Sequence, residues 1–206
     1  MKDLIVLAAD KSMKLVVDAL LGRAVLKLRT ISFDTVTHPE NDPGVRLRAH
    51  NFLRSQLRNY HYAVAVCDRS GSGGERLARR GIEERIENGL RANGWDHRAI
   101  AIVIDPELEN WMWGDWDATS DALRWADTKS VRDWVIEQQL LSSGHAKPSD
   151  PKNALQCAAK YSGKRWSSSI HQQIAAQARI DGCTDPAFLK LRSALQDWFP
   201  LAAVTV

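Results

Sequence analysis

Three stretches of the chain share one form. LIVLAA (4–9) runs into Asp10, HYAVAVCD (61–68) ends on Asp68, and RAIAIVIDP (98–106) reaches Asp105 before Pro106. Each is apolar at nearly every position, not at alternate ones. Such a run has no face to give to water, so it suits a strand covered on both sides, as in a parallel sheet. Helical patterns lie between the runs. KSMKLVVDALLGR (11–23) places Met13, Leu15, Val16, Val17, Leu20 and Leu21 at helical spacing, with Gly22 near the stop. ERLARRGIEERIENGLRANG (75–94) puts Leu77, Ile82, Ile86 and Leu90 on one face of a polar helix. LRTISFDTV (28–36) alternates as a further strand, and a basic amphipathic helix is predicted from near Gly44 or Val45. The order β-α-β-α-β-α-β predicts an α/β fold with a mainly parallel sheet flanked by helices.

After Pro106 the strand pattern stops. SVRDWVIEQQLL, KNALQCAAKY, SSIHQQIAAQARI and DPAFLKLRSALQDWF read as helices, with Asp150-Pro151 opening the second and Pro186 at the first turn of the last. The predicted organisation is an α/β core over 1–115 and a helical extension over 116–206 packed on it. The closing PLAAVTV reads as a short edge strand or a tail.

Composition narrows the function classes. The net charge is only +3, so nucleic-acid contact requires a local basic patch. Three widely spaced cysteines form no zinc spacing and no disulfide framework, which points to a reduced, cytoplasmic protein. The first apolar run reads as a strand, not a targeting segment, and no run nears the ~18 apolar residues of a membrane span. Eight tryptophans serve either core packing or a base-stacking or partner surface.

In parallel sheets, ligands bind beyond the carboxyl ends of the strands. Asp10, Asp68 and Asp105 fall at those ends, and Glu107 and Glu109 follow directly. Clustered carboxylates repel unless a cation lies between them, and hard oxygen ligands suit Mg²⁺ or Mn²⁺. Such an ion orients a phosphodiester and activates water. The plainer alternative is that each acid ends a strand or caps the next helix, as Asp10 can for a helix starting near Lys11. The loop DRSGSGGE (68–75) lacks the lysine of a P-loop and the GxGxxG spacing. Its glycines permit close approach to an anion, with Lys11 and Arg69 as phosphate contacts, or they simply connect strand to helix. A second candidate is HPENDPG (38–44), where His38, Glu40 and Asp42 alternate and His38 is placed as a general base, or where the chain makes a rigid turn. His145 and His171 lack metal-type spacing and read as surface residues. Ser167, Ser168 and Ser169 lack the frame of a serine hydrolase. Arg46, Arg48, Arg54 and Arg58 form a basic stretch suited to phosphates or to a solvated helix face.

LIVLAADKSM, AVAVCDRSGSGG, IAIVIDPELENWMW and the tail DPKNAL…SSIHQQIA…DPAFLKLRSALQDWF, in this order, carry a likeness to a known family. It resembles the bacterial Toprim-like proteins, particularly small ones of phage-defence loci such as methylation-associated defence systems. The resemblance implies a Toprim/Rossmann-like core. Toprim domains carry a glutamate after the first strand and Asp-x-Asp after the third, bind magnesium there, and act on phosphodiesters in topoisomerases, primases and overcoming-lysogenization-defect nucleases. Asp68 matches the first aspartate, and Ser70 stands at the second. Asp10 matches the glutamate position, or in the alternative alignment Ala9 does. Glu109 matches an acid typical of the small Toprim-like proteins. The implied nuclease site has Asp10, Asp68 and Glu109 as catalytic groups. Mg²⁺ or Mn²⁺ sits on Asp10, Asp68, Glu107 and Glu109, and Lys11 and Arg69 contact phosphate. The implied alternative is a non-catalytic scaffold or sensor that binds a defence partner or phage component. Expected partners are nucleic acid (DNA or RNA), other defence subunits and a second copy of the chain. A flavodoxin-like nucleotide-binding domain would use the same strand edge.

Overall fold

The computed structural model describes residues 1–142 and 144–201. Four strands, β1 (Lys2–Ala8), β2 (Phe33–Thr37), β3 (Tyr60–Asp68) and β4 (Ala99–Ile104), form one sheet in the order β2-β1-β3-β4. Every pairing is parallel. Leu4–Ala8, Ala63–Cys67 and Ala101–Ile104 are all buried, as continuous apolar runs in a parallel sheet require.

The connections alternate with the strands. Helix α1 (Lys11–Leu21) leads from β1 to β2, α2 (Asn41–Arg54) from β2 to β3, and α3 (Arg79–Leu90) from β3 to β4. The chain moves to one side of β1 and then returns to the other. With right-handed crossovers, α1 lies on one face of the sheet while α2 and α3 lie together on the opposite face. This is the doubly wound α/β arrangement, Rossmann/Toprim-like in its all-parallel sheet. The reversal of strand order falls between β1 and β3, the topological switch point where such folds open a crevice.

Several predicted boundaries move. The helix expected over 75–94 spans only Arg79–Leu90 as α3, which leaves Leu77 in the preceding turn. Helix α2 begins at Asn41, not near Gly44, so the Asp42-Pro43-Gly44 stretch that reads as loop is the first helical turn. Pro43 is tolerated there because the first-turn amides have no intrahelical acceptor. The strand expected over 28–36 is shortened to β2; Leu28 instead makes an isolated antiparallel bridge with Pro200.

Beyond β4 come α4 (Glu109–Met112), α5 (Trp116–Leu123), α6 (Val131–Glu137), α7 (Pro151–Tyr161), α8 (Ser168–Gln177) and α9 (Pro186–Trp198). Helix α8 packs along α1, and α9 packs against β4. Asp150 caps α7 through Asn153 N–H at 3.0 Å. Asp185 caps α9 through the Ala187 and Phe188 amides, each at 3.0 Å. No tryptophan is among the exposed large apolar residues, and Trp95 and Trp113 are among the largest fully buried side chains. Residues 202–206 of the predicted edge strand or tail lie outside the described residues. Among the described residues no helix is long and apolar enough to cross a membrane.

Candidate functional site

The acids converge at the carboxyl edge of the sheet. Asp10 follows β1 and caps α1, its Oδ1 accepting Met13 N–H at 2.8 Å. Asp68 closes β3. Its N–H donates to Asp42 Oδ1 at 2.7 Å, and its own Oδ1 is buried with no partner among the described residues. Asp42 reaches this point because α2 starts earlier than its turn-rich composition suggests. Glu107 lies in the turn after β4 and accepts Lys152 N–H at 3.2 Å, with Lys152 Nζ 3.9 Å from its other oxygen. Glu109 opens α4, only 4 % exposed, with His171 Nε2 3.0 Å from its Oε1.

The electrostatics tie these groups together. Burial, then the charges of Asp42, Glu109, Asp10 and Glu107, push the Asp68 carboxyl well above the usual carboxylate range. Asp42 is also raised, by burial and by Asp10, although the Asp68 amide opposes this. Glu107 is raised by burial and by Glu109, with Lys152 opposing. Burial also pushes Glu109 up, but the His171 hydrogen bond and charge, with Lys152, leave it below its ordinary value. Burial pushes Lys152 down, but Glu109, Glu107, Asp68 and Asp10 hold its ammonium more strongly and raise it. Carboxylates from several segments act together on the exposed Lys152, so this edge favours positive charge.

Other sequence candidates stand apart. Asp105 is exposed and pairs with Arg69 at 3.3 Å. Arg69 points back into its own loop, donating to Leu77 O at 3.0 Å and Glu75 O at 2.6 Å. Lys11 is exposed, with no side-chain partner among the described residues. The glycine loop turns its amides to internal acceptors: Ser70 N–H meets Pro106 O at 2.9 Å, Gly73 N–H meets Glu75 Oε1 at 3.1 Å, and Gly74 N–H meets Ser72 Oγ at 3.1 Å. Gly71 and Gly73 adopt left-handed backbone at φ 78° and 73°. Arg46 crosses from α2 to hold Ser72 O at 2.6 Å. The loop is a self-satisfied corner that carries the chain from Asp68 to α3.

His38 is 5 % exposed and tilts against Phe52. Its Nδ1 accepts Glu40 N–H at 3.1 Å, which leaves the proton on Nε2 and gives the ring a packing role. His171, read from sequence as a surface residue, is 1 % exposed: α8 lies on α1 and directs the ring inward to Glu109, with Trp166 edge-on to it at 5.0 Å. Sequence reasoning also left Lys152 out of the site. The only local signal was its place just inside a proline-started helix, which says nothing about a sheet edge 45 residues earlier.

The donor set is hard oxygen, and the orphaned Asp68 oxygen is an acceptor that a cation would complete. As the side chains lie, no three His, Cys, Asp or Glu groups among the described residues are close enough to hold a metal ion together. Holding one therefore requires these side chains to move. No protein-family model, curated protein or solved structure matches the chain.

Proposed function

We propose that the protein is a cytoplasmic component of a bacterial phage-defence system whose Toprim-like sheet edge processes phosphodiester bonds with Mg²⁺ or Mn²⁺. The observation that carries the reading is the buried Asp68 Oδ1 at the switch point, without a partner among the described residues, with Asp10, Asp42, Glu107 and Glu109 acting on it. When bound there, the ion would polarise a phosphoryl oxygen and lower the pKa of a water. Asp68 and Asp10 would hold it, with Glu107 completing the shell. Glu109, kept ionised and aimed by His171, would accept the proton of the attacking water. Lys152, close to Glu107, would neutralise a phosphate oxygen.

Calorimetric titration with Mn²⁺ tests this. Saturable binding by the wild type, abolished in Asp68→Ala with the fold retained, is expected, and nuclease assays on the same pair should follow it. No heat at millimolar Mn²⁺ would overturn the reading. One observation favours a second one, a non-catalytic scaffold or sensor: Ser70, exposed and with its amide on Pro106 O, occupies the place of the second Toprim aspartate. Mn²⁺ binding without cleavage of DNA or RNA would select it.

A further inference from the structure

The far end of α7 carries a feature that the acid edge does not use. Trp125, Trp134 and Tyr161 pack as a triangle with ring centroids 5.4, 5.3 and 4.7 Å apart. Trp134 is its buried floor at 7 % exposure, whereas Tyr161 remains 55 % exposed. The polar tips are fixed: Tyr161 Oη donates to Asp127 Oδ2, and Trp125 Nε1 donates to Lys129 O at 2.8 Å. An exposed ring already held in place loses little conformational freedom on binding.

Trp125 and Tyr161 share a shallow concavity with Arg124, Ala126, Asp127 and Ser162. Arg124 caps α5 in left-handed backbone, φ 51°. Among the described residues its guanidinium has no hydrogen-bond or ion-pair partner, and neither do Lys160, Lys164 and Arg165 on the same stretch of chain as Tyr161. Aromatic faces beside free cations are the two elements that bind single strands, since every base has a π-face and every link a phosphate. The overall charge of +3 gives no such signal; the patch is local.

We propose that Arg124, Trp125 and Tyr161 form a nucleobase-stacking platform for single-stranded nucleic acid. Lys152 and Tyr161 mark the two ends of α7, roughly 14 Å apart at about 1.5 Å per residue. A strand stacked on Tyr161 reaches the acid edge within a few nucleotides of about 3.4 Å each. This path to the edge rests on the function proposed above; the platform itself does not.

The test is titration of the full-length protein with a fluorescein-labelled oligothymidylate of about twenty nucleotides, enough to span the site sizes of single-strand binders. It is done with a chelator present, following anisotropy and tryptophan quenching. Saturable binding is expected, weakened about tenfold or more by Tyr161→Ala, because a stacked base contributes that much, and retained by Tyr161→Phe. Arg124→Ala should lower the salt dependence by about one phosphate contact. The platform is overturned by no binding, by unchanged affinity in Tyr161→Ala, by equal affinity for a blunt duplex, or by displacement of the strand with an oligoglutamate peptide, which would mark a general anion or peptide surface. Strand binding in chelator without Mn²⁺ uptake would sink the acid-edge reading and leave the platform standing. Mn²⁺ uptake without strand binding would do the reverse.

Discussion

At the scale of single residues, the acid edge is a tension within the fold. Asp68 has its pKa raised by burial and by its acidic neighbours, so the folded state binds its proton more tightly than the unfolded chain does. The stability linked to that proton is complete below the ordinary value of 3.8 and is lost as pH rises through the raised one. Asp68→Asn removes this titration and leaves the main-chain bond to Asp42 in place. Its melting temperature should therefore gain on wild type between pH 4 and pH 8; a constant gap across that range would refute the argument. A second residue-scale prediction concerns Gly44. A Cβ there would stand 2.0 Å from His38 Nδ1 and 2.8 Å from Glu40 Cβ. Gly44→Ala should cost about 1–3 kcal/mol in urea denaturation, the usual range for overpacking. His38→Ala in the same chain should recover part of the loss, because the two changes share one contact. The acids were legible in the sequence because a strand's end is a local event, and Asp10, Asp68 and Glu109 could be placed from the runs before them. His171 was not legible, since its burial depends on α8 lying on α1, a contact made by residues some 150 positions apart.

At the scale of elements, β4 is an edge strand, and its outward amides need acceptors that a fifth strand would otherwise provide. Helix α3 supplies them: Glu83 Oε1 accepts Val103 N–H and Glu87 Oε1 accepts Ala101 N–H, both at 3.0 Å. Carboxylates four residues apart on one helix face match amides two residues apart on a strand, because both spacings are near 6 Å. Lys190 of α9 bridges both, at 3.1 Å to Glu83 and 2.7 Å to Glu87, and Arg79 pairs with Glu83. Glu83 is 2 % exposed, so Glu83→Ala should destabilise by about 3–5 kcal/mol, the cost of breaking a buried ion pair. Glu83→Gln, which keeps an acceptor for Val103, should cost less. Glu83→Ala combined with Glu87→Ala should also raise light scattering on heating, as an uncovered edge invites pairing between copies. None of this could be read from ERLARRGIEERIENGL, where the same glutamates look like a solvated face. The predicted helix is present, though shortened from 75–94 to Arg79–Leu90; the use of its acids depends on which strand lies beside it.

At the scale of the whole molecule, the helices after residue 115 are joined to the sheet by packing and by polar ties. Tyr62 of β3 stacks on Trp198 at 4.5 Å, and Trp111 meets Phe188 edge-on at 5.6 Å. Trp113 Nε1 donates to Pro151 O at 2.9 Å, Arg23 to Ala175 O at 2.8 Å, and Gln196 to Leu26 O at 3.0 Å. Composition marks where the strands stop, but it cannot show that α9 packs on β4 while α8 lies on α1, because that depends on contacts across most of the chain. Asp185 concentrates this coupling. It caps α9 and accepts Trp111 Nε1–H and Asn110 Nδ2–H, both at 2.9 Å, so one carboxylate joins the last helix to the turn after β4. Asp185→Ala removes a cap and strands a buried indole donor, together roughly 2–4 kcal/mol. Where the loss appears is the informative part. If the sheet and the later helices unfold as one unit, circular dichroism and tryptophan fluorescence should give coincident urea transitions in wild type, and both should shift together in Asp185→Ala. If the later helices were a unit of their own, the variant's curves would separate, with the helical signal lost while the sheet persisted. Burial of Trp111 and Met112 against α8 and α9 favours the first result, because no intermediate could release those helices without exposing both side chains.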